Sequence, residues 1–447
     1  TYKSSTEFTN FNKEFVGNYL EHSVQNPLEV VNAHRAHGYG LMGDGIGVAV
    51  VDGYFDVDHS DLGTVDRSIN SYGTIVDSSS AGGGHGTAVA GIIGAGYNGG
   101  SSDTLVGIAP KADLHLISFN STATMINGIN ALPSSVKALN SSWGLNSSLI
   151  DEDKALMINN GWTAAQLIAS KLSNFSTNDA SNWLDALNDF QENGVVVFSN
   201  SNTASNDNAE IIGALPEIDS RLAEALILAV NINIMGTSGN ETYTRKSAPC
   251  GDAASYCLGA DGFGINTLDS NNSYKLHVYD SDNDSVVDSY NSGTSYVAPM
   301  VSGAVAIVAE AFPNQTPEQW TDRLLASANN SIGYTHIGAT NFGNGVAHGY
   351  SHDAGHGILD IYAALQPITS SSYSQSVYAG SSRLSGNRYS LEKSSLVSSQ
   401  SFGDGLKNGF AEVRNYSFDA LGGGFEYDMS RAVSVTKPSM PVLNIQS

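Results

Sequence analysis

The apolar residues of this chain form two patterns, short unbroken runs and longer stretches at helical spacing. Residues 46–51 and 226–232 are runs of strand length, which indicates buried strands. Residues 163–172 and 181–190 have the apolar spacing of helices. The longest pattern covers residues 297–311, where Ala and Val recur without a charge until Glu310 and a proline follows at position 313. A helix this apolar is predicted to run through a core.

The start of that helix carries a candidate reactive group. Ser295 follows Gly293 and Thr294, so its hydroxyl is expected where free backbone N–H groups and the positive end of the helix dipole converge. Pro299 fits the first helical turn, where a missing N–H costs little. Such a site can stabilise an oxyanion, but taken alone a Gly-Thr-Ser sequence is more simply interpreted as a helix cap.

Two upstream stretches carry groups suited to acid–base chemistry. Asp52 ends the strand predicted over residues 46–51, and parallel α/β sheets place their sites at the carboxyl ends of strands; as an isolated feature it would be a turn cap. His85 lies near the start of a small-residue helix in the glycine-rich residues 82–94, where glycines let other backbones approach closely. A phosphate-binding loop is the competing interpretation, and the lack of a Gly-Lys-Ser/Thr sequence in this stretch argues against it.

Three separated motifs, taken together, resemble those of the subtilisin-like serine proteases, the subtilases, in that family's order. Residues 50–62 are similar to the aspartate motif, residues 85–91 to the histidine motif and residues 293–299 to the serine motif. The resemblance covers roughly residues 26–367. It implies an α/β fold with a largely parallel β-sheet and helices on both faces. The departures from the family pattern, none of which removes a reacting group, are Gly53, Ser60, Tyr296 and Val297.

The resemblance implies a catalytic triad of Asp52, His85 and Ser295 and the hydrolysis of peptide bonds through an acyl-enzyme intermediate. His85, oriented by Asp52, would take the proton of Ser295 as the hydroxyl attacks the peptide carbonyl, and would later protonate the leaving amine. Residues 194–202 look like the family's strand that leads to the oxyanion-hole asparagine. We align Asn202 with that residue. Asn200 is the alternative, because an alignment over a strand end slips easily.

The resemblance also implies a substrate site. Residues 139–144 resemble the edge segment against which these enzymes lay a peptide backbone as an added strand, which makes Ser142, Trp143 and Gly144 the expected contacts. Trp143 is alternatively a core residue. The expected substrates are proteins or peptides, and the predicted activity is that of a secreted serine endopeptidase. The alternative is a non-catalytic surface adhesin or binding module on the same scaffold.

The composition of the chain bears on its binding partners and on its location. The chain has 447 residues and a net charge of −24, which argues against binding nucleic acid through its phosphates. The sequence has no uninterrupted apolar run of about 18 residues, so no transmembrane segment is predicted. Charged residues are few beside many Gly, Ser and Asn residues, a balance common in secreted enzymes. We expect a monomer that is secreted or displayed at the cell surface and needs no cofactor for catalysis.

The two cysteines are a candidate stabilising feature. Cys250 and Cys257 are too few for a closed zinc site, and their spacing permits either a disulfide or two free thiols. Residues 247–261 resemble the cysteine-bearing turn of subtilases that are passenger domains of bacterial autotransporters. That resemblance favours the disulfide, because exported proteins meet an oxidising environment.

An acidic run just before the serine motif is a candidate calcium site. Its carboxylates alternate as in hard-cation loops, but it lacks the glycine and the final glutamate of a full calcium loop. The alternative is a solvated hairpin tip. The candidate ligands of a structural Ca²⁺ are Asp280, Asp282, Asp284 and Asp288.

The two ends of the chain differ from its middle. Residues 1–27 are predicted to form an N-terminal arm and residues 28–368 the peptidase domain, beginning with a helical stretch over residues 28–42. Residues 369–447 are predicted to form a small β-rich appendage or linker, because serine-rich sequence gives way to short stretches of alternating apolar spacing. Part of this tail resembles the segment that joins autotransporter proteases to their barrels.

Overall fold

In the computed structural model, the chain forms two compact units. One comprises Thr1–Thr340 and His348–Leu365, and the other Asn341–Ala347 and Gln366–Ser447. The predicted limits of the arm, the peptidase domain and the tail stay predictions. The residues that the structure describes are 27–63, 67–73, 84–96, 105–236, 240–275, 278–279, 289–369, 396–399, 414–428 and 433–436.

Strands and helices alternate through most of the first unit. Its strands are β1 (Gly47–Asp52), β2 (Ile69–Tyr72), β3 (Asp113–Ser118), β4 (Val136–Ser141), β5 (Val195–Ser199), β6 (Leu226–Met235), β7 (Thr242–Arg245), β8 (Cys257–Ala260), β9 (Thr267–Asp269), β10 (Ser273–Lys275), β11 (Val278–Tyr279), β12 (Ser289–Tyr290), β13 (His336–Asn341) and β14 (Ala347–Ser351). Its helices are α1 (Pro27–Val30), α2 (Ala33–Gly38), α3 (Gly84–Gly94), α4 (Thr122–Asn130), α5 (Ile150–Asn160), α6 (Ala164–Lys171), α7 (Thr177–Gln191), α8 (Thr294–Ala311), α9 (Pro317–Ser327) and α10 (Ile361–Ala364).

The core of this unit is an eight-stranded sheet in the order β2-β3-β1-β4-β5-β6-β7, with β8 also paired to β6. All the pairings are parallel except that of β7 with β6. This arrangement confirms the predicted α/β fold. The chain leaves β1 towards β3 on one side and later returns to β4 on the other, so β1 lies at a topological switch point, where such sheets place their sites.

The alternation of side chains along β1 explains which helices meet at that point. Ala49 and Val51 belong to a buried cluster that contains residues of α4 and α7. Successive strand residues point to opposite faces, so Val48, Val50 and Asp52 share the other face. Helices α3 and α8 also contact β1. Asp52 therefore lies on the face of the sheet that these two helices cover.

The helix α8 runs through the core, as its apolar sequence predicts. It packs on α3 and on strands β4, β5 and β6. By length and hydropathy it could cross a membrane, but 83% of it is buried inside the protein, as in the core helix of a folded domain.

Three predicted helices differ from the structure at their ends. The stretch over residues 28–42 is broken into α1 and α2, because Asn32 adopts a left-handed conformation with φ of 59°. Helix α7 begins at Thr177, four residues before the prediction, because Ser176 and Asp179 form a capping box. Helix α8 begins at Thr294 rather than at residue 297.

The second unit contains four short strands in its described part. They are β15 (Leu396–Ser399), β16 (Arg414–Phe418), β17 (Gly424–Asp428) and β18 (Val433–Thr436). Strands β16 and β17 form an antiparallel hairpin, and β15 pairs with β18 in parallel. The turn between β16 and β17 is held by Asp419, whose carboxylate accepts hydrogen bonds from the N–H groups of Leu421 and Gly423.

Candidate active site

A hydrogen-bonded pair of Asp52 and His85 lies at the carboxyl end of β1. His85 Nδ1 is 2.8 Å from Asp52 Oδ2, so this nitrogen carries the proton and Nε2 is left as a base. The carboxylate is almost completely buried, whereas 43% of the imidazole side chain is exposed. Burial lowers the pKa of His85, but the hydrogen bond and the negative charge of Asp52 outweigh it, and the net pKa lies above its usual value.

Ser295 is the second residue of helix α8 and lies beside the carboxyl end of β4. Its hydroxyl donates to the carbonyl oxygen of Ser142, with an Oγ–O distance of 3.2 Å. Val51 of β1 is in register with Ser141 of β4, so Asp52 and Ser142 occupy equivalent positions at two adjacent strand ends, which are about 4.8 Å apart in a sheet. Among the described residues, no hydrogen bond joins Ser295 to His85.

The carbonyl oxygen of Ser295 is satisfied from outside its own helix. Pro299 is the sixth residue of α8, not a first-turn residue as the sequence suggested, and it has no N–H to donate to the carbonyl four residues earlier. That carbonyl belongs to Ser295. The hydroxyl of Ser142 donates to it instead, at 3.0 Å. The proline therefore frees the carbonyl of Ser295 for a contact with β4.

Two fully buried side chains hold Ser142 in this position. The amide of Asn140, two residues earlier on β4, donates to Ser142 Oγ at 2.9 Å. Ser302, in the third turn of α8, donates to Asn140 Oδ1 at 3.0 Å. Because each polar group is paired, the cost of burying them is largely offset. The network fixes the end of β4 against the start of α8.

The two asparagines considered for the oxyanion hole have different surroundings. Asn200 is buried, and its side-chain amide donates to the carbonyl oxygens of Ala248 and Pro249 at 3.2 and 2.8 Å. Asn202 is exposed, and its Oδ1 accepts the N–H of Thr294 at 2.9 Å. This contact caps α8, which explains why the helix begins earlier than its sequence pattern indicated. No described residue accepts a hydrogen bond from the Asn202 amide nitrogen.

The expected substrate edge follows directly on β4. Ser142 is the first residue past the strand, and it forms the two hydrogen bonds with Ser295 that are described above. The indole of Trp143 packs among Phe119, Trp183 and Phe198, with ring centroids 5.7–6.2 Å apart, so this half-buried side chain lies against the hydrophobic core. A role of Ser142, Trp143 and Gly144 in binding substrate stays a prediction.

A cavity of about 600 Å³ opens beside this edge. It is bounded by the start of α4, the residues that follow β4 and the connection between α6 and α7. Half of its lining side chains are apolar, and this apolar part suits an apolar group of a ligand. The apolar side chains that line it are Phe119, Met125, Trp143, Leu145, Leu172 and Phe175.

A further residue, Glu210, was not predicted from the sequence, and its carboxyl group touches this edge. Its Oε2 accepts the N–H of Leu145 at 3.0 Å, and a side chain added to Gly144 would place its Cβ 2.3 Å from Oε1. The two apolar residues that follow Glu210, Ile211 and Ile212, are the one sequence feature that indicates a buried segment here. The partner of Glu210, 65 residues earlier in the chain, could not be read from that feature.

The remaining predicted sites are a disulfide and a metal. Cys250 and Cys257 are joined by a disulfide, with a Cα–Cα distance of 6.0 Å. Asp280, Asp282, Asp284 and Asp288 lie outside the described residues. Within the described part of the chain, no group of three or more His, Cys, Asp or Glu side chains is arranged to hold a metal ion.

The chain is also similar in sequence to known proteins. Residues 43–357 match the family model of the subtilase family. The chain is 26% identical over 357 residues to an extracellular serine protease of Serratia marcescens, a match that covers 71% of this chain and 33% of that protein. It is 28% identical over 360 residues to fervidolysin of Fervidobacterium pennivorans, which covers 76% of this chain and 43% of that protein.

A solved structure shares the fold. The crystal structure of fervidolysin, a keratinolytic enzyme related to subtilisin, matches with a TM-score of 0.50 and 24% identity, over 76% of this chain and 45% of that chain. The chain thus spans less than half the length of the Serratia marcescens protease and of fervidolysin.

Proposed function

The chain belongs to the subtilase family, and from this we propose that it is a serine endopeptidase whose catalytic triad is Asp52, His85 and Ser295. The observation that carries the proposal is the 2.8 Å bond between Asp52 and His85 at the carboxyl end of β1. The adjacent strand end, that of β4, holds Ser295 through Ser142. A base with an orienting carboxylate thus lies one strand away from a hydroxyl at a helix start, as acyl transfer requires.

In the proposed reaction, Asp52 keeps the proton of His85 on Nδ1 and stabilises the imidazolium that forms. In this step the hydroxyl of Ser295 must exchange its bond with the Ser142 carbonyl for one with His85 Nε2, which requires the serine side chain to rotate about its Cα–Cβ bond. The deprotonated oxygen attacks the peptide carbonyl. His85 then returns the proton to the leaving amine, and water hydrolyses the acyl-enzyme by the same steps.

The negative oxygen of the tetrahedral intermediate would be bound by two donors. One is the backbone N–H of Ser295, which has no intrahelical partner because it lies in the first turn of α8. The other is the side-chain amide of Asn202, whose Oδ1 is held by Thr294 and whose nitrogen is directed elsewhere. The buried amide of Asn200 already donates to two backbone carbonyls, which supports Asn202 for this role.

The proposed substrate is an extended peptide paired with Ser142–Gly144 as an added strand. An apolar side chain of that peptide would fill the cavity of about 600 Å³ beside Trp143. The relative from Serratia marcescens is named an extracellular protease, and the disulfide between Cys250 and Cys257 suits an oxidising space, so we propose a secreted enzyme. A closer relationship to autotransporter passenger domains, a monomeric state and a structural Ca²⁺ stay predictions.

Labelling with a small fluorophosphonate tests the proposal. The reagent traps a serine that is activated by an imidazole, so the wild-type protein should be labelled at Ser295, and labelling should be lost in Ser295→Ala. Asp52→Asn should be labelled far more slowly, because the imidazole loses the group that orients it. A folded wild-type protein that takes up no label and cleaves no peptide of a mixed library would instead be a binding module on a subtilase scaffold.

A further inference from the structure

A buried carboxyl group that is not part of the proposed triad supports the substrate edge. The side chain of Glu210 is completely buried. Its carboxyl group accepts three backbone N–H groups, those of Leu145, Ile212 and Gly213, each at 3.0 Å. Within the described part of the chain, no Lys or Arg forms an ion pair with it. A buried acid bonded only to backbone N–H groups therefore lies directly behind the segment that follows Trp143.

The bonds of Glu210 join two segments that border the proposed active site. One segment follows β4 and contains Leu145. The other follows β5, where the backbone N–H of Glu210 donates to Asn200 Oδ1 at 3.1 Å. The two segments are also bridged by Asn146, whose Oδ1 accepts the backbone N–H of Asn202 at 3.2 Å. The bond to the proposed oxyanion residue is therefore made by Asn146, whereas the carboxyl group of Glu210 bonds only the substrate edge and its own segment.

Gly144 shows how closely the carboxyl group approaches the edge. A Cβ on Gly144 would lie 2.3 Å from Glu210 Oε1 and 2.8 Å from its carboxyl carbon, so the backbone passes directly over the carboxyl group. Ile150 and Ala209, and Ser148 and Ile211, add backbone hydrogen bonds of 2.9 and 3.0 Å farther along the same two segments. The segment after Ser142 is therefore held by the carboxyl group of Glu210 at Leu145 and by backbone hydrogen bonds at residues 148 and 150.

We propose that Glu210 is a positioning residue for peptide binding. Its carboxyl group holds the backbone of Gly144 and Leu145 so that an extended peptide can pair with Ser142–Gly144. The inference rests on the proposed protease function, because it presupposes that a peptide binds there. Glu210 touches neither Ser295 nor His85 through any hydrogen bond of the described residues, so its role is confined to binding.

The energetics of the site agree with a functional reason for this residue. Burying a carboxyl group without a cation costs free energy, and burial raises the pKa of Glu210 to about 8 although three N–H groups oppose the shift. Elsewhere in a core, an apolar side chain would be the more stable choice. A costly group that is kept beside a binding edge is typical of sites where function competes with stability.

The test compares Glu210→Ala and Glu210→Gln with a matched control, Glu310→Gln. Glu310 is also an acid that accepts backbone N–H groups, those of Met42 and Gly43, and burial also raises its pKa. It lies 15 residues after Ser295 on α8, about 22 Å away along the helix. Three quantities are measured for each variant: KM and kcat for a tetrapeptide amide, the same constants for a single-residue ester, and the rate of fluorophosphonate labelling.

The expected result is selective for the long substrate. Glu210→Ala should raise KM for the tetrapeptide by about tenfold, the scale of a lost hydrogen bond to an acidic group. The single-residue ester and the labelling rate should stay within about twofold of wild type, because the triad is unchanged. Glu210→Gln keeps one acceptor oxygen, so its KM for the tetrapeptide should lie between those of wild type and Glu210→Ala. Glu310→Gln should change none of the three quantities.

Other outcomes would overturn the inference. An equal loss in all three measurements would make Glu210 a general structural residue, and unchanged KM values would remove its role altogether. If Glu210→Ala does not fold, Glu210→Gln carries the same comparison. A wild-type protein without fluorophosphonate labelling would overturn the proposed protease function itself. That result is independent of any Glu210 variant.

Discussion

Replacing Ser142 by Ala should weaken the folded state more than the loss of one hydroxyl normally does. Pro299 cannot donate to the carbonyl oxygen of Ser295, and the hydroxyl of Ser142 does so instead at 3.0 Å. The same hydroxyl accepts a hydrogen bond from the side-chain amide of Asn140, and Asn140 is completely buried. Alanine therefore leaves two polar groups without a partner at once, the completely buried amide of Asn140 and the carbonyl oxygen of the half-buried Ser295.

The size of the effect follows from those two groups. A buried donor or acceptor without a partner costs about 1–3 kcal/mol and a half-buried one costs less, so the free energy of unfolding should fall by about 2–5 kcal/mol. Ser141, the neighbouring strand residue, is equally buried and provides the control. Its replacement by Ala removes an oxygen of the same size, and should cost less than about 1 kcal/mol because it does not bond to α8.

Denaturation by urea measures both changes. All variants are made in a Ser295→Ala background, so that the proposed protease activity cannot digest unfolded chains during the measurement. The backbone carbonyl at position 295 is unchanged by that substitution. The midpoint and slope of the unfolding curve then give the free energy of unfolding.

A second substitution isolates the cause. Pro299→Ala supplies an N–H at the position from which a helix normally bonds the carbonyl four residues earlier, that of residue 295. Ser142→Ala should therefore cost at least about 1 kcal/mol less in the Pro299→Ala background than in the parent. An equal cost in both backgrounds, or a cost below about 0.5 kcal/mol in the parent, would refute the role assigned to the Ser142 hydroxyl.

Three further predictions concern the proton-binding groups and the disulfide. Asp52→Asn should lower kcat by about 10⁴-fold. It should also move the acid limb of kcat/KM to lower pH, because Asp52 raises the pKa of His85 against the opposing effect of burial and the imidazole acts as a base only when neutral. Replacing Cys250 and Cys257 by Ser should lower the free energy of unfolding by about 2–3 kcal/mol, because a cross-link on the unfolded chain is lost. Burial raises the pKa of Glu210 from 4.5 to about 8, so the folded state binds the proton of this group more tightly than the unfolded state does. The resulting contribution to the free energy of unfolding is complete below pH 4.5 and is lost as the pH rises to 8. Glu210→Gln should remove this pH dependence.

Each of these has a defined contrary result. An acid limb that stays in place in Asp52→Asn would mean that His85 is not the titrating base. Oxidised and reduced wild-type protein with the same unfolding midpoint would argue against a stabilising cross-link. Equal pH dependence of unfolding in wild type and Glu210→Gln would place the proton on another group.

Local sequence patterns determined most of the architecture. Continuous apolar runs identified β1 and the start of β6, and helical spacing identified α6, α7 and α8, because a side chain's exposure repeats with the period of its own element. The three motifs placed Asp52 at the end of a buried strand and His85 and Ser295 at the starts of two helices, which is where the structure has them. Helix ends were less well determined, since Asn202 caps α8 from 92 residues away.

Only the tertiary structure decided which polar groups are paired. Asn200 and Asn202 look alike in the sequence, yet packing against residues 248 and 249 occupies the amide of Asn200, whereas Asn202 is left at the surface. The hydroxyl of Ser295 is directed to Ser142, and Glu210 supports Leu145, through bonds between residues 153 and 65 positions apart. Sequence spacing describes the periodicity of one element, but a hydrogen bond between distant segments depends on where the packed sheet and helices bring their ends together.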